Sequence, residues 1–236
     1  MHLPVFERLA SLLVVVATPC AVVGVAVLLF LNPVWVGFDQ GRTDVPELTG
    51  YSPAEVTQVT GSILSDLVFG PPTFDVAVNG VPVLQERERS HMADVRTVLL
   101  DLGLVALLAA IVLLVAGFGS RGANWFWRAV GTGGRVLVGG VIVVGLAFAI
   151  FFEQAFELFH EIFFPAGTYL FDPRSSKLVQ LFPDQFWSET SVGIALAVLV
   201  LGIVVVLGAD RVARRSEAAA LAPAAPVAPI PGSETR

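Results

Sequence analysis

The chain has 236 residues, of which 55% are hydrophobic and only 14% charged, with a mean hydropathy of +0.78. An ordinary soluble domain carries about 25% charged residues, so this composition excludes that class and defines an integral membrane protein. A net charge of −6 without a basic stripe gives no footprint for a nucleic-acid partner, and the single cysteine, Cys20, excludes a disulfide framework or a cysteine metal cluster.

In chain order, Met1 to Arg8 is short and polar, and Leu9 to Leu31 is an apolar run long enough to cross a hydrocarbon core of about 30 Å. Cys20 lies inside it as a packed residue, because low dielectric disfavours a thiolate. Pro19 and the mostly apolar stretch Ala21 to Leu31 argue against a cleaved lipoprotein signal, so segment 1–31 reads as a retained first span. Segment 32–96 is polar and acidic. In it Ser52-Pro53-Ala54-Glu55 reads as a capped helix start running to about Val68, stopped by Gly70-Pro71-Pro72. Alternation from Phe74 to Leu84 around Asn79-Gly80 reads as a short hairpin. From Glu86 the composition is helical and runs into a second span, about Thr97 to Val115, which places His91 one to two turns above the membrane surface.

Gly117 to Gly134 is a connector with Trp125 and Trp127 as interface anchors, and a third span follows from about Arg135 to Phe152, completing segment 97–152. Segment 153–190 is rich in Phe, 191–209 holds a fourth span, and 210–236 reads as a disordered tail, its Ala/Pro composition strongest from Ala218. The fold class is therefore an all-α membrane protein, with four transmembrane helices and a small outward-facing cap built from the first and third loops. Arg8, Arg121, Arg128, Arg135, Arg211, Arg214 and Arg215 fall on one side after four crossings, which the positive-inside rule makes the cytoplasm. Both termini are then cytoplasmic and both polar loops face outward. The short connector predicts that spans two and three form an antiparallel pair, across which His91 and His160 meet.

The stretch Glu153 to Trp187 organises the chemistry. It mixes Phe with carboxylates, one His, and Asp-Pro and Phe-Pro turns, a composition suited to the outer edge of a bilayer. Of three histidines, His2 is terminal and without context. His91 and His160 reach one face from separate spans, and such a pair can take a proton from one group and give one to another. Asp94, three residues after His91, shares its helical face, as Glu153, Glu157 and His160 share another. A zinc site built from the two histidines and these carboxylates, serving a membrane hydrolase, is an alternative, although position 164 is Phe and no His-Glu-x-x-His pattern exists. A third reading is a non-enzymatic protein whose cap binds a partner. No Gly-x-Ser-x-Gly elbow, phosphate loop or dinucleotide fingerprint is present, and Ser90 points away from its neighbour His91.

Ser90-His91-Met92-Ala93-Asp94-Val95 entering the second span, Phe159-His160-Glu161-Ile162-Phe163-Phe164, Phe171-Asp172-Pro173 and Leu181-Phe182-Pro183-Asp184-Gln185-Phe186-Trp187 together resemble the bacterial four-span membrane proteins that include lipoprotein intramolecular transacylase. Tyr169 stands where that pattern leads one to expect Trp, and Ser176 where it leads one to expect an acid. The resemblance implies a bacterial cell-membrane acyltransferase that needs no cofactor or metal. Its partners would be membrane lipids and a diacylated lipoprotein, whose sn-2 acyl chain moves from glycerol to the α-amine of the same cysteine. It assigns acid/base roles to His91 and His160, with Asp94 or another carboxylate orienting the base. Arg96 or backbone amides of a loop are candidates for the oxyanion, Glu157 for the polar head group, Phe163 and Phe164 for the acyl tails, and Tyr169 for substrate fit.

Overall fold

A computed structural model describes residues 5–221; His2 and positions 222–236 lie outside them. Helix α1 spans Val5–Phe30, α2 Pro33–Arg42, α3 Val45–Thr49 and α4 Pro53–Val68. The strands β1 (Ala77–Val78) and β2 (Val81–Pro82) follow, then α5 (Glu86–Gly119), α6 (Asn124–Ile150), α7 (Phe152–Phe163), α8 (Lys177–Leu181) and α9 (Asp184–Leu221). Four of these, α1, α5, α6 and α9, are long and apolar enough to cross a membrane.

The length of α5 decides where its first turns lie. Its 34 residues rise about 51 Å against a hydrocarbon core of about 30 Å, so part of it must project into water. The charges choose which part: Glu86, Arg87, Glu88, Arg89, Asp94 and Arg96 crowd the amino-terminal end. Glu86–Arg96 therefore stands outside the bilayer, and the crossing portion begins beyond it. The same reasoning applies to α9, which continues through Leu221. Residues 210–221, expected as the start of a disordered tail, are helical instead, and the rest of that tail lies outside the described residues. Val212-Ala213-Arg214-Arg215-Ser216-Glu217-Ala218 favours helix, and the first proline after it is Pro223.

The order of the helices in the bundle differs from the expected antiparallel pairing of spans two and three. Helix α1 packs on α5 and on α6, while α6 packs on α9. Helices α5 and α6 meet at their connector, where Gly117 lies against the Phe126 ring. Small residues explain the arrangement. A side chain at Gly24 would collide with the Cβ of Ala106, and one at Gly133 would meet the Val15 carbonyl at 2.6 Å. Glycine on α1 and α6 thus lets the first helix sit between the second and third more closely than a short connector lets those two pair.

Above the bundle, the polar segments fold into a cap with its own core. Ser52 caps α4, its Oγ accepting from Glu55 N at 3.3 Å while the Glu55 carboxylate accepts from Ser52 N at 2.8 Å, a reciprocal capping box. Asn79 and Gly80 both take positive φ, 52° and 77°, which closes the β1–β2 hairpin in the register Val78 to Val81. Asn32 starts α2, its side chain accepting from Val34 N and Trp35 N, with Pro33 at the first helical position. Val59, Ile63, Phe74, Leu84, Met92 and Leu181 meet in the core. That set joins the first loop, the projecting turns of α5 and the segment after α7 into one body.

Candidate active site

His91 is delivered by a helix whose start is pinned from both sides. Glu88, one turn earlier, is almost wholly buried. One of its oxygens accepts from Gln85 N at 2.6 Å, and the other accepts from Ser176 Oγ and from Leu178 N at 3.1 Å. A buried carboxylate is tolerated when its lone pairs are filled in this way, and here the satisfaction also ties the segment after α7 to α5. Arg87 adds a second tie. Its guanidinium donates to the Gly167 carbonyl at 3.0 Å and lies 5.6 Å from the centre of the Phe171 ring.

Under that clasp His91 is only 6% exposed. Phe164 and Phe171 stand edge-on to its ring, at 4.8 and 5.6 Å between centres. Its Nδ1 is buried without a hydrogen-bond partner. Burial lowers its pKa from 6.5 to about 4, the neighbouring His160 pushes the same way, and Asp94 opposes both. His91 is therefore neutral at pH 7.

His160 arrives by another route. Helix α6 ends at Ile150, and Phe151, with φ −121° and ψ 44°, breaks the chain before α7 begins. Helix α7 is strongly amphipathic and none of its residues is fully buried. On it His160 Nδ1 lies 2.7 Å from the Phe156 carbonyl. A carbonyl only accepts, so Nδ1 carries the hydrogen and Nε2 keeps its lone pair. The rings of His91 and His160 are 6.0 Å apart at their centres and 23° from parallel. Phe156, Phe164 and Tyr169 surround His160 at 4.4, 5.3 and 5.2 Å.

The structure thus gathers His91, His160, Phe164 and Tyr169, with Phe163 at the rim against Phe159 at 4.9 Å. Asp94 acts on His91 as a charge at a distance, since no hydrogen bond joins them among the described residues. Arg96 points the other way, donating to the Asp66 carbonyl and packing beside Gly70. Glu157 is exposed on α7. Among the described residues no three His, Cys, Asp or Glu side chains gather as a possible metal ligand set. The hydrolase alternative therefore has no ligand set here. Sequence reasoning missed Glu88 and Arg87, although both lie within one turn of His91. It read the run from Glu86 only as the start of a helix, and the available signal was a Glu three residues past Gln85.

Four helices long and apolar enough to cross a membrane, under a cap where two imidazoles meet, define a multi-pass membrane protein. A family model described as lipoprotein intramolecular transacylase Lit matches residues 12–187. The chain belongs to that family, and it is an acyltransferase of the membrane. Its fold is similar to the in meso structure of the membrane integral lipoprotein intramolecular transacylase from Bacillus cereus, with a TM-score of 0.77 at 20% identity, over 90% of this chain and 98% of that one. A histidine-to-alanine variant of the same enzyme has a TM-score of 0.73 at 19% identity, over 90% and 96% of the two chains. A protein of Aquifex aeolicus (strain VF5) that carries no functional name is 24% identical over 207 residues, 84% of this chain and 92% of that one.

Proposed function

We propose that this chain moves the sn-2 acyl chain of a diacylglyceryl-modified cysteine onto the α-amine of that cysteine, with His160 carrying the proton and His91 hydrogen-bonding the oxyanion. The single observation that carries the reading is the pair itself, two near-parallel imidazoles 6.0 Å apart, one bare at Nε2 and the other held neutral by burial.

An α-amine with a pKa near roughly 8 is mostly protonated at neutral pH and reacts from its free-base fraction. The amine nitrogen attacks the ester carbonyl carbon, and as the C–N bond forms its surplus proton passes to His160 Nε2. The Phe156 carbonyl on Nδ1 stabilises the resulting imidazolium. The bond from the carbonyl carbon to the glycerol oxygen then breaks, and the same proton goes to that oxygen, leaving an amide and a free hydroxyl. His91 stays neutral throughout and donates a hydrogen bond from Nε2–H to the oxyanion, since an N–H stranded at the unpartnered Nδ1 would cost more than a bare lone pair. Nucleophile and ester belong to one molecule, so orientation supplies much of the rate.

Phe163, Phe164 and Tyr169 receive the acyl tails, while Glu157 and Asp94 face the polar head group and steer the amine. Arg96 serves by holding the cap onto α5. The histidine end faces outward, with both termini and the Arg-rich end in the cytoplasm.

Mass spectrometry of the amino-terminal lipopeptide of a reporter lipoprotein tests the reading, in membranes holding this protein or its His91→Ala or His160→Ala variant. An N-acyl, lyso-form product with the intact pair alone is expected. A lipopeptide that stays diacylated with the intact, folded protein would sink the substrate assignment, and variants with full activity would sink the roles of the histidines.

A further inference from the structure

At the end of the bundle opposite the histidines, α6 and α9 enclose a groove of about 400 Å³ that the acyl-transfer reading does not use. One wall carries Arg128, Thr132 and Arg135, spaced by four and three residues on one face of α6. The other carries Asp210, Arg214 and Glu217 on α9. Each carboxylate neutralises one arginine: Arg135 reaches Asp210 at 2.6 Å, and Arg128 reaches Glu217 at 2.7 Å, where Asn124 Nδ2 also donates. Arg214 is exposed and has no ion-pair or hydrogen-bond partner among the described residues, so the groove holds one uncompensated cation.

The depth of the groove identifies what that cation meets. Trp125 and Trp127, three and one residues before Arg128, are residues suited to the bilayer interface, so Arg128 lies at their level, with Arg135 about 10 Å further along α6 where the apolar span begins. A wall of guanidiniums at head-group depth between two packed helices matches the phosphodiester of an anionic lipid, whose acyl chains continue down the apolar helix surface. We propose that this groove binds the head group of an anionic glycerophospholipid such as phosphatidylglycerol, with Arg214 and Arg128 as its phosphate ligands. The phosphate pairs with Arg214 directly and competes with Glu217 for Arg128. The site is independent of the acyl-transfer centre.

Native mass spectrometry of the purified full-length chain, released from detergent containing phosphatidylglycerol or phosphatidylcholine, tests this. Retention of phosphatidylglycerol over phosphatidylcholine is expected. Arg214→Gln and Arg128→Gln are each expected to weaken that retention about tenfold, the scale of one charge-assisted contact. Arg215→Gln, which removes the same charge from an exposed position outside the groove, should leave it unchanged. An equal loss in the Arg215→Gln variant would mean a diffuse field and overturn the site. Equal retention of the two lipids would do the same, and so would saturation by soluble glycerol phosphate with no preference for the lipid. Folding is read from the same samples by thermal melting, and Arg214→Gln, which breaks no contact, keeps the test decisive if Arg128→Gln fails to fold.

Discussion

The two histidines sit in opposite kinds of structure. His91 stands on the first turns of α5, inside a cap core that includes Met92, with Glu88 tied to Ser176 and Leu178 on one side and Arg87 tied to Gly167 on the other. His160 stands on α7, where no residue is fully buried and where Leu158, Ile162 and Phe163 are each at least half exposed. The first ring is placed by a folded domain, the second by an amphipathic helix whose apolar side is left for lipid. Such a division suits a reaction in which a fixed neutral imidazole meets a substrate that arrives within the bilayer.

The comparison breaks most visibly at the rings themselves. His160→Ala is expected to lower turnover of the reporter lipopeptide by roughly 10²–10⁴-fold, the range for a lost acid/base group, with little change in the melting of the cap. His91→Ala should do both, since it empties a buried position.

Glu88→Ala comes next. It strands the Leu178 and Gln85 amides and the Ser176 hydroxyl, and a loss of about 3 kcal/mol in unfolding free energy is expected for so many buried partners. No single change on the exposed face of α7 should cost as much, and thermal unfolding in detergent compares them directly. If Leu158→Ser or Ile162→Ser destabilised the protein as strongly as Glu88→Ala, α7 would have a packed partner and the contrast would fail.

A smaller effect sharpens the fixed side. Asp39, in α2 outside the bilayer, is fully buried, with Oδ2 accepting from Thr190 at 3.2 Å and Oδ1 unpartnered. Burial, reinforced by the carboxyl of Glu189, raises its pKa from 3.8 to about 6. A raised acid favours the protonated fold, so its contribution is fully present below about pH 4 and is lost as pH rises through about 6. His91 works in the reverse sense, stabilising above about pH 6.5 and losing that contribution as pH falls through about 4. Melting curves of Asp39→Asn against the parent should therefore diverge between pH 4 and 6 and run parallel above. The least effect is expected at the Arg42–Glu189 pair, 3.0 Å apart with the arginine in solvent, where Arg42→Gln should leave the melting curve nearly unchanged.

Periodicity made the four crossing helices, the capped start of α4 and the Asn79-Gly80 hairpin legible, because each has a local cause. The two histidines were legible from their positions beside apolar runs. The buried acids that tie the cap together were not. Glu88 and Asp39 look like surface acids in a polar loop, and only tertiary closure buries them against segments more than eighty residues away. Helix α2 was missed for a related reason: Pro33 to Arg42 is short, carries two glycines, and is fixed by Asn32 and by the core beneath Val36 more than by any pattern of its own. The pairing of α5 with α6 failed because connector length was the sole guide, while the glycines that admit α1 between them act at a distance along the chain.

The placement of α1 makes the spacing of the two histidines in part a property of the membrane interior. The first helix works as a spacer. Its thickness at Gly24 against Ala106 and at Val15 against Gly133 sets how far apart the stems of α5 and α6 stand, and therefore the gap that the first turns of α5 and helix α7 must close for His91 and His160 to meet. A methyl group added at Gly24, deep in the bilayer and far from any reacting atom, would act as a wedge whose displacement is read out at the top of the bundle. The tolerance of the histidine pair to change is thus partly written in a helix that contributes no residue to it.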